Sequence, residues 1–112
     1  MITETILSTT ETTVTLGTTI NSSTKDVQSG LYTIETGAGT GTPTITLYGK
    51  LISSSDPEVD SGWVELAESA STAAGTVTGG SVSMYPYMTA AVTGNSGGLD
   101  IHVAIAYSNR GG

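Results

Sequence analysis

Unbroken alternation over nine residues, Leu99 to Tyr107, constrains this chain more than any other feature. Leu99, Ile101, Val103, Ile105 and Tyr107 share one parity, and Asp100, His102, Ala104 and Ala106 share the other. Only a strand sends successive side chains to opposite faces, so the spacing predicts a half-buried strand of antiparallel type. The same period recurs upstream. Thr13 to Ile20 carries Val14, Leu16 and Ile20 on one face, and Gly30 to Thr36 carries Tyr32 and Ile34. Thr44 to Ile52 sets Ile45, Leu47, Gly49 and Leu51 against Thr46, Tyr48 and Lys50. Trp63 to Glu68 sets Val64 and Leu66 against Trp63, Glu65 and Ala67. Val82 and Met84 pair in Ser81 to Tyr85, and Met88, Ala90 and Val92 in Tyr87 to Thr93. No apolar pattern of period 3.6 runs beyond about two turns.

Turn residues separate these runs. Residues 36–43 are rich in Gly and end in Pro43; Gly79-Gly80 breaks a later segment. Gly94, Asn95, Gly97 and Gly98 lie between two strongly alternating strands and read as a tight hairpin with left-handed residues. Pro86 lacks the N–H that a central ladder needs and belongs at a strand start or edge, with a cis Tyr85–Pro86 bond as one option. The prediction is an all-β chain: a single antiparallel β-sandwich, jelly-roll-like or Ig-like, of about seven or eight short strands. Residues 13–112 form that domain, and residues 1–12 an N-terminal arm or edge strand.

Composition narrows function mainly by exclusion. Thr and Ser supply 21 and 14 of 112 residues, there is no cysteine, and the net charge is −7. Without cysteine there is no disulfide and no thiolate metal site. Lys25, Lys50 and Arg110 are scattered, so no basic patch faces nucleic acid or an anionic membrane. No apolar run is long enough to span a bilayer, and no signal peptide is visible at the start. With one Trp, five Tyr and no Phe, the core falls to aliphatic side chains: Leu47, Leu66, Val92, Ile101, Val103 and Ile105, plugged by Trp63.

Sequence motifs assemble no chemistry. Asp100 and His102 share a strand face with Ser108, but no nucleophile elbow accompanies them. Asp56, Glu58 and Asp60 alternate as in a calcium loop, yet the turn glycine falls one place late at Gly62 and Ala67 stands where a bidentate Glu would close the site. Asn21-Ser22-Ser23 is a glycosylation triplet without a secretory leader. Trp63, Tyr85 and Tyr87 are the candidates for a sugar-binding platform. No catalytic, cofactor or metal residue is expected.

The second half carries a resemblance. Leu47-Tyr48-Gly49-Lys50-Leu51 precedes Trp63-Val64-Glu65-Leu66. Pro86-Tyr87-Met88-Thr89-Ala90-Ala91-Val92-Thr93-Gly94-Asn95-Ser96-Gly97-Gly98 then leads into the last alternating strand. Over residues 44–107 this order resembles small β-sandwich structural proteins of tailed bacteriophages, most like capsid decoration (cement) proteins. The resemblance rests on packing and turn residues. It implies a non-enzymatic virion protein made in the host cytoplasm. The protein would be a homotrimer on the outer capsid surface, with the major capsid protein as partner. The alternative is a head-fibre or tail protein that binds host-surface glycans. In the decoration reading Ile2, Ile6 and Leu7 contact the capsid or a neighbouring subunit. Removing the first dozen residues would then cost binding but not folding. A core Trp63 would emit blue-shifted fluorescence.

Overall fold

The computed structural model describes residues 2–15, 17–21, 29–51, 62–69 and 72–108. Its strands are β1 (Ile2–Thr9), β2 (Ile20–Asn21), β3 (Ser29–Thr36), β4 (Thr44–Lys50), β5 (Val64–Ser69), β6 (Val77–Ser83), β7 (Tyr87–Thr93) and β8 (Ile101–Tyr107). They form a front sheet, β1-β8-β3-β6, and a back sheet, β2-β7-β4-β5. Four nested antiparallel pairs generate this order: β1 with β8, β2 with β7, β3 with β6, and β4 with β5. A single antiparallel β-sandwich is thus formed, and of the two expected topologies it is the jelly roll.

That winding corrects the reading of residues 94–98. β7 lies in the back sheet and β8 in the front, so Gly94, Asn95, Gly97 and Gly98 form a crossing between sheets, not a hairpin. Hairpin and crossing make the same local demand. Gly94 and Gly98 both take left-handed backbone, at φ 73° and 66°. What distinguishes the two is where the second strand finds its partners, and β8 finds β1 and β3.

The inward faces interdigitate as the alternation dictates. Leu99, Ile101, Val103, Ile105 and Tyr107 are all buried, and opposite them lie Ile45, Leu47, Met88, Ala90 and Val92. Leu66 is only partly buried, because a register shift between Leu47 and Tyr48 sets it in a bulge of β5. Trp63 is not in this cluster. It lies on the outer face of the back sheet, half-buried, with the Lys50 Nζ 5.5 Å from its ring centroid. The expected core plug is therefore a surface residue, and its emission should lie between buried and water-like.

β1 contains its own correction. The ladder to β8 pairs Thr5 with Ala104 and Leu7 with Val103, leaving Ile6 as an extra residue. This bulge switches the parity of the strand: Ile2, Glu4 and Ile6 face inward before it, and Leu7 faces inward after it. Ile6 and Leu7 are 0% and 2% exposed, and Ile2 packs against the same cluster. Residues 2–9 are an edge strand of the sandwich, not a free arm. Ile6 and Leu7 are enclosed by their own chain and cannot touch a capsid or a neighbouring subunit.

The bulge also bears on residues 13–15 and 17–19, which do not form the expected strand; Leu16 lies outside the described residues. Val14 exchanges backbone hydrogen bonds with Val92, Gly17 N–H donates to Ala90, and Thr18 N–H donates to the Ile6 carbonyl freed by the bulge. The segment thus follows the β7 edge irregularly and ties it to β1. A Cβ at Gly17 would lie 2.2 Å from the Ile6 oxygen. Gly17→Ala should therefore cost about 2–3 kcal/mol, by parting Thr18 from Ile6, in a denaturant titration. A cost below about 0.5 kcal/mol would show that the bulge adapts.

Two smaller expectations also change. Gly79-Gly80 does not break a segment: β6 runs through both glycines, and the Tyr32 ring lies where a Gly80 side chain would be. No cis peptide occurs among the described residues.

Candidate functional site

Polar chemistry concentrates in three places among the described residues. The first is the end of the sandwich where the chain crosses between sheets. Asn95, only 1% exposed, donates through Nδ2 to the Glu11 and Leu99 carbonyls. It accepts from Leu99 N–H through Oδ1, and its own N–H donates to the Thr12 carbonyl. The loop of residues 37–42 closes against the same corner. Gly37 N–H donates to the Asp100 carbonyl and Asp100 N–H to that of Ala38. Beside it, the buried Thr36 hydroxyl donates to the Ala73 carbonyl and accepts from Thr76 N–H. The buried polar side chains Asn95 and Thr36 are both occupied in joining crossings, so this end is a clasp. Sequence marked Asn95 as a turn residue only; its fourfold bonding depends on partners up to 84 positions away.

The second place is the outer face of the front sheet. Ser8 Oγ lies 3.1 Å from His102 Nδ1, and His102 Nε2 lies 3.3 Å from Asp100 Oδ1. Asp100 and His102 were singled out in the sequence; the hydroxyl beside them is Ser8 on β1, not Ser108. With its proton on Nε2, His102 donates to Asp100 and accepts from Ser8, which is the connectivity of a hydrolytic relay. The setting is wrong for that chemistry. His102 and Asp100 side chains are 50% and 47% exposed. Water therefore competes for each bond, and the dry preorganised surroundings that give such a relay its power are missing. What the three residues do is staple β1 to β8 across an open face.

The third place is the outer face of the back sheet, where the candidate aromatic platform divides. Lys50 and Tyr87 stand opposite each other across β4 and β7, and Lys50 reaches over Trp63. Tyr85 belongs to the other side: its ring packs on Gly49, where a Cβ would meet it at 2.7 Å. Lys50 and Trp63 thus form a cation–aromatic pair with Tyr87 across the strand from Lys50, while Tyr85, partly buried, packs against the core. Lys50 is itself only 4% exposed, and both its Nζ and the Trp63 N–H are shielded from solvent.

On the inner face of the front sheet, Tyr107 meets Glu4. The Tyr107 hydroxyl donates to Glu4 Oε2, across the β1–β8 ladder. Burial first, then the Glu4 carboxylate, pushes the Tyr107 hydroxyl up from 10.0 to about 12. The folded state therefore keeps a proton that the unfolded chain gives up. Stability should be intact below pH 10 and fall as pH rises from 10 toward 12. Denaturant midpoints across that window should drop for the native chain and drop less for Tyr107→Phe; equal slopes would contradict the assignment.

Among the described residues, no three His, Asp or Glu side chains are grouped to hold a metal ion, and no helix is long and apolar enough to cross a membrane. The alternating acids Asp56, Glu58 and Asp60 lie outside the described residues, as do Ser22 and Ser23 of the glycosylation triplet. The class that the fold and its polar groups define is an antiparallel jelly-roll scaffold clasped at its crossing end. Comparison with protein-family models, curated proteins and solved structures finds no match to this chain.

Proposed function

We propose that the chain is a non-enzymatic structural protein of a phage virion, a decoration protein that binds the outer capsid surface as a homotrimer and braces the shell. The observation that carries this reading is how the polar residues are used. Asn95, Thr36 and Thr89 are buried, and their side chains bond backbone carbonyls or N–H groups that join segments of the sandwich. The one relay-like group lies open to water. A brace for a pressurised shell needs rigidity and surface, and no reaction centre. The order of strand and turn residues over 44–107 supports the phage setting by resemblance, and the jelly roll is an architecture that capsid domains use. Fold alone does not fix function, so this support is associational. Major capsid protein is the proposed partner, and a symmetric trimer follows the common rule of closed assemblies.

The test is cosedimentation of the purified chain with phage capsids stripped of their decoration protein. Saturable binding, with a rise in the temperature at which the shells disrupt, is expected. No binding at any concentration would refute the proposal.

The outer group of Trp63, Lys50 and Tyr87 favours one second reading, a head-fibre or tail module that stacks a host-surface glycan. Jelly rolls also serve lectins. Glycan-array binding that Tyr87→Ala abolishes would favour that reading over the shell.

A further inference from the structure

A two-sheet sandwich has four edges, and natural proteins block such edges with bulges, charges, inward-facing acids, brevity or a covering segment. Three of the edges here are blocked. β1 has the Ile6 bulge, the inward-facing Glu4 and the bond from Thr18. β2 is two residues long, and the rest of that side of β7 is taken by Val14 and Gly17. β5 has a bulge and carries Glu65 and Glu68. Among the described residues β6 has none of these devices. Its sequence is Val77-Thr78-Gly79-Gly80-Ser81-Val82-Ser83, without charge or Pro. It pairs with β3 in unbroken register from Ser29–Ser83 to Glu35–Val77. Among the described residues no other backbone group bonds it. Val77 is 67% exposed.

We infer that β6 is an open docking edge whose occupant is β6 of a second copy, added antiparallel about a two-fold axis at Gly80. The strand is suited to pairing with itself. Antiparallel pairing sets Gly80 opposite Gly80, Gly79 opposite Ser81, Thr78 opposite Val82 and Val77 opposite Ser83. No pair clashes sterically and no like charges meet. In a chain of net charge −7 that last condition is demanding: the β5 edge would bring Glu65 and Glu68 near their own copies. The main-chain bonds would extend the front sheet from four strands to eight, the mode by which exposed edges recruit partners. This two-fold contact goes beyond the shell reading and differs from the three-fold assembly proposed above; it joins one assembly to the next.

Sedimentation of the full chain over a concentration series tests it. The sedimenting mass should double reversibly with concentration. Ser81→Lys places two cations diagonally across the axis and should weaken the doubling at least about tenfold while leaving the melting temperature unchanged. Should Ser81→Lys fail to fold, Ser81→Glu, which sets two anions at the same diagonal position across the axis, serves the same purpose. Amide exchange over 77–83 should slow in the doubled species and only there. A mass that never doubles, or a doubling that both variants retain, overturns the inference. Neither result bears on capsid binding, which is measured separately.

Discussion

Removing residues 1–9 should unfold the protein. Truncation deletes the β1 edge, exposes the ladder of β8 from Ile101 to Tyr107, and takes Ile6 and Leu7 from the core. Burying side chains of that size contributes about 1.5–3 kcal/mol each. Thr18 loses the Ile6 carbonyl, and Tyr107 loses its bond to Glu4. Together these losses rival the whole stability of a small domain, about 5–15 kcal/mol. Far-UV circular dichroism should therefore show no cooperative transition for residues 10–112. A truncated chain that melts cooperatively near the native temperature would restore the view of the N-terminus as a detachable arm. The result bears on function too. If β1 is part of the sandwich, loss of capsid binding on truncation reports unfolding, and attachment must be sought on exposed faces.

The second large effect is expected at Asn95. Asn95→Ala removes three side-chain hydrogen bonds and leaves the Glu11 carbonyl and both polar backbone groups of Leu99 without those partners at a buried corner. Each abandoned buried group costs about 1–3 kcal/mol. Because the three share one site they will not sum fully, and a loss of about 4 kcal/mol is expected. Asn95→Asp should be nearly as harmful. It keeps the acceptor for Leu99 N–H but turns an oxygen toward two carbonyls that now receive a donated proton. Denaturant midpoints for the two variants decide the matter. If Asn95→Ala costs no more than an exposed substitution, the clasp does not hold the crossing end together.

What was legible in the sequence follows a physical boundary. Alternation is local, so β8 and the inward parity of Ile45, Leu47, Met88, Ala90 and Val92 could be read directly, and with them the sandwich. Partner choice is not local. Residues 94–98 look alike whether the next strand turns back beside β7 or crosses to β1 and β3. The Ile6 bulge hides for the same reason: Ile6 and Leu7 adjoin, which breaks a simple alternation and suggests an irregular arm. The structure shows instead one extra residue whose carbonyl is used by Thr18. Trp63 misleads because large rings are usually buried, whereas one residue outside β5 leaves it beside Lys50 on the outer face. Ser8 could not be linked to His102 from spacing, since the two lie 94 positions apart.

The same boundary separates fold from function here. Sheet order and core rest on residues that neighbours in space explain, whereas the proposed role in a virion rests on the order of turn and strand residues over 44–107 and on how the polar groups are used. Fold alone cannot carry the second. The most direct measurement of the proposed role is cryo-electron microscopy of intact phage particles assembled in the presence of this chain. The account predicts density for a jelly roll on the outer shell, repeated three-fold at local symmetry positions and in contact with major capsid protein. Density confined to a fibre or the tail, or a particle without the chain, would contradict it.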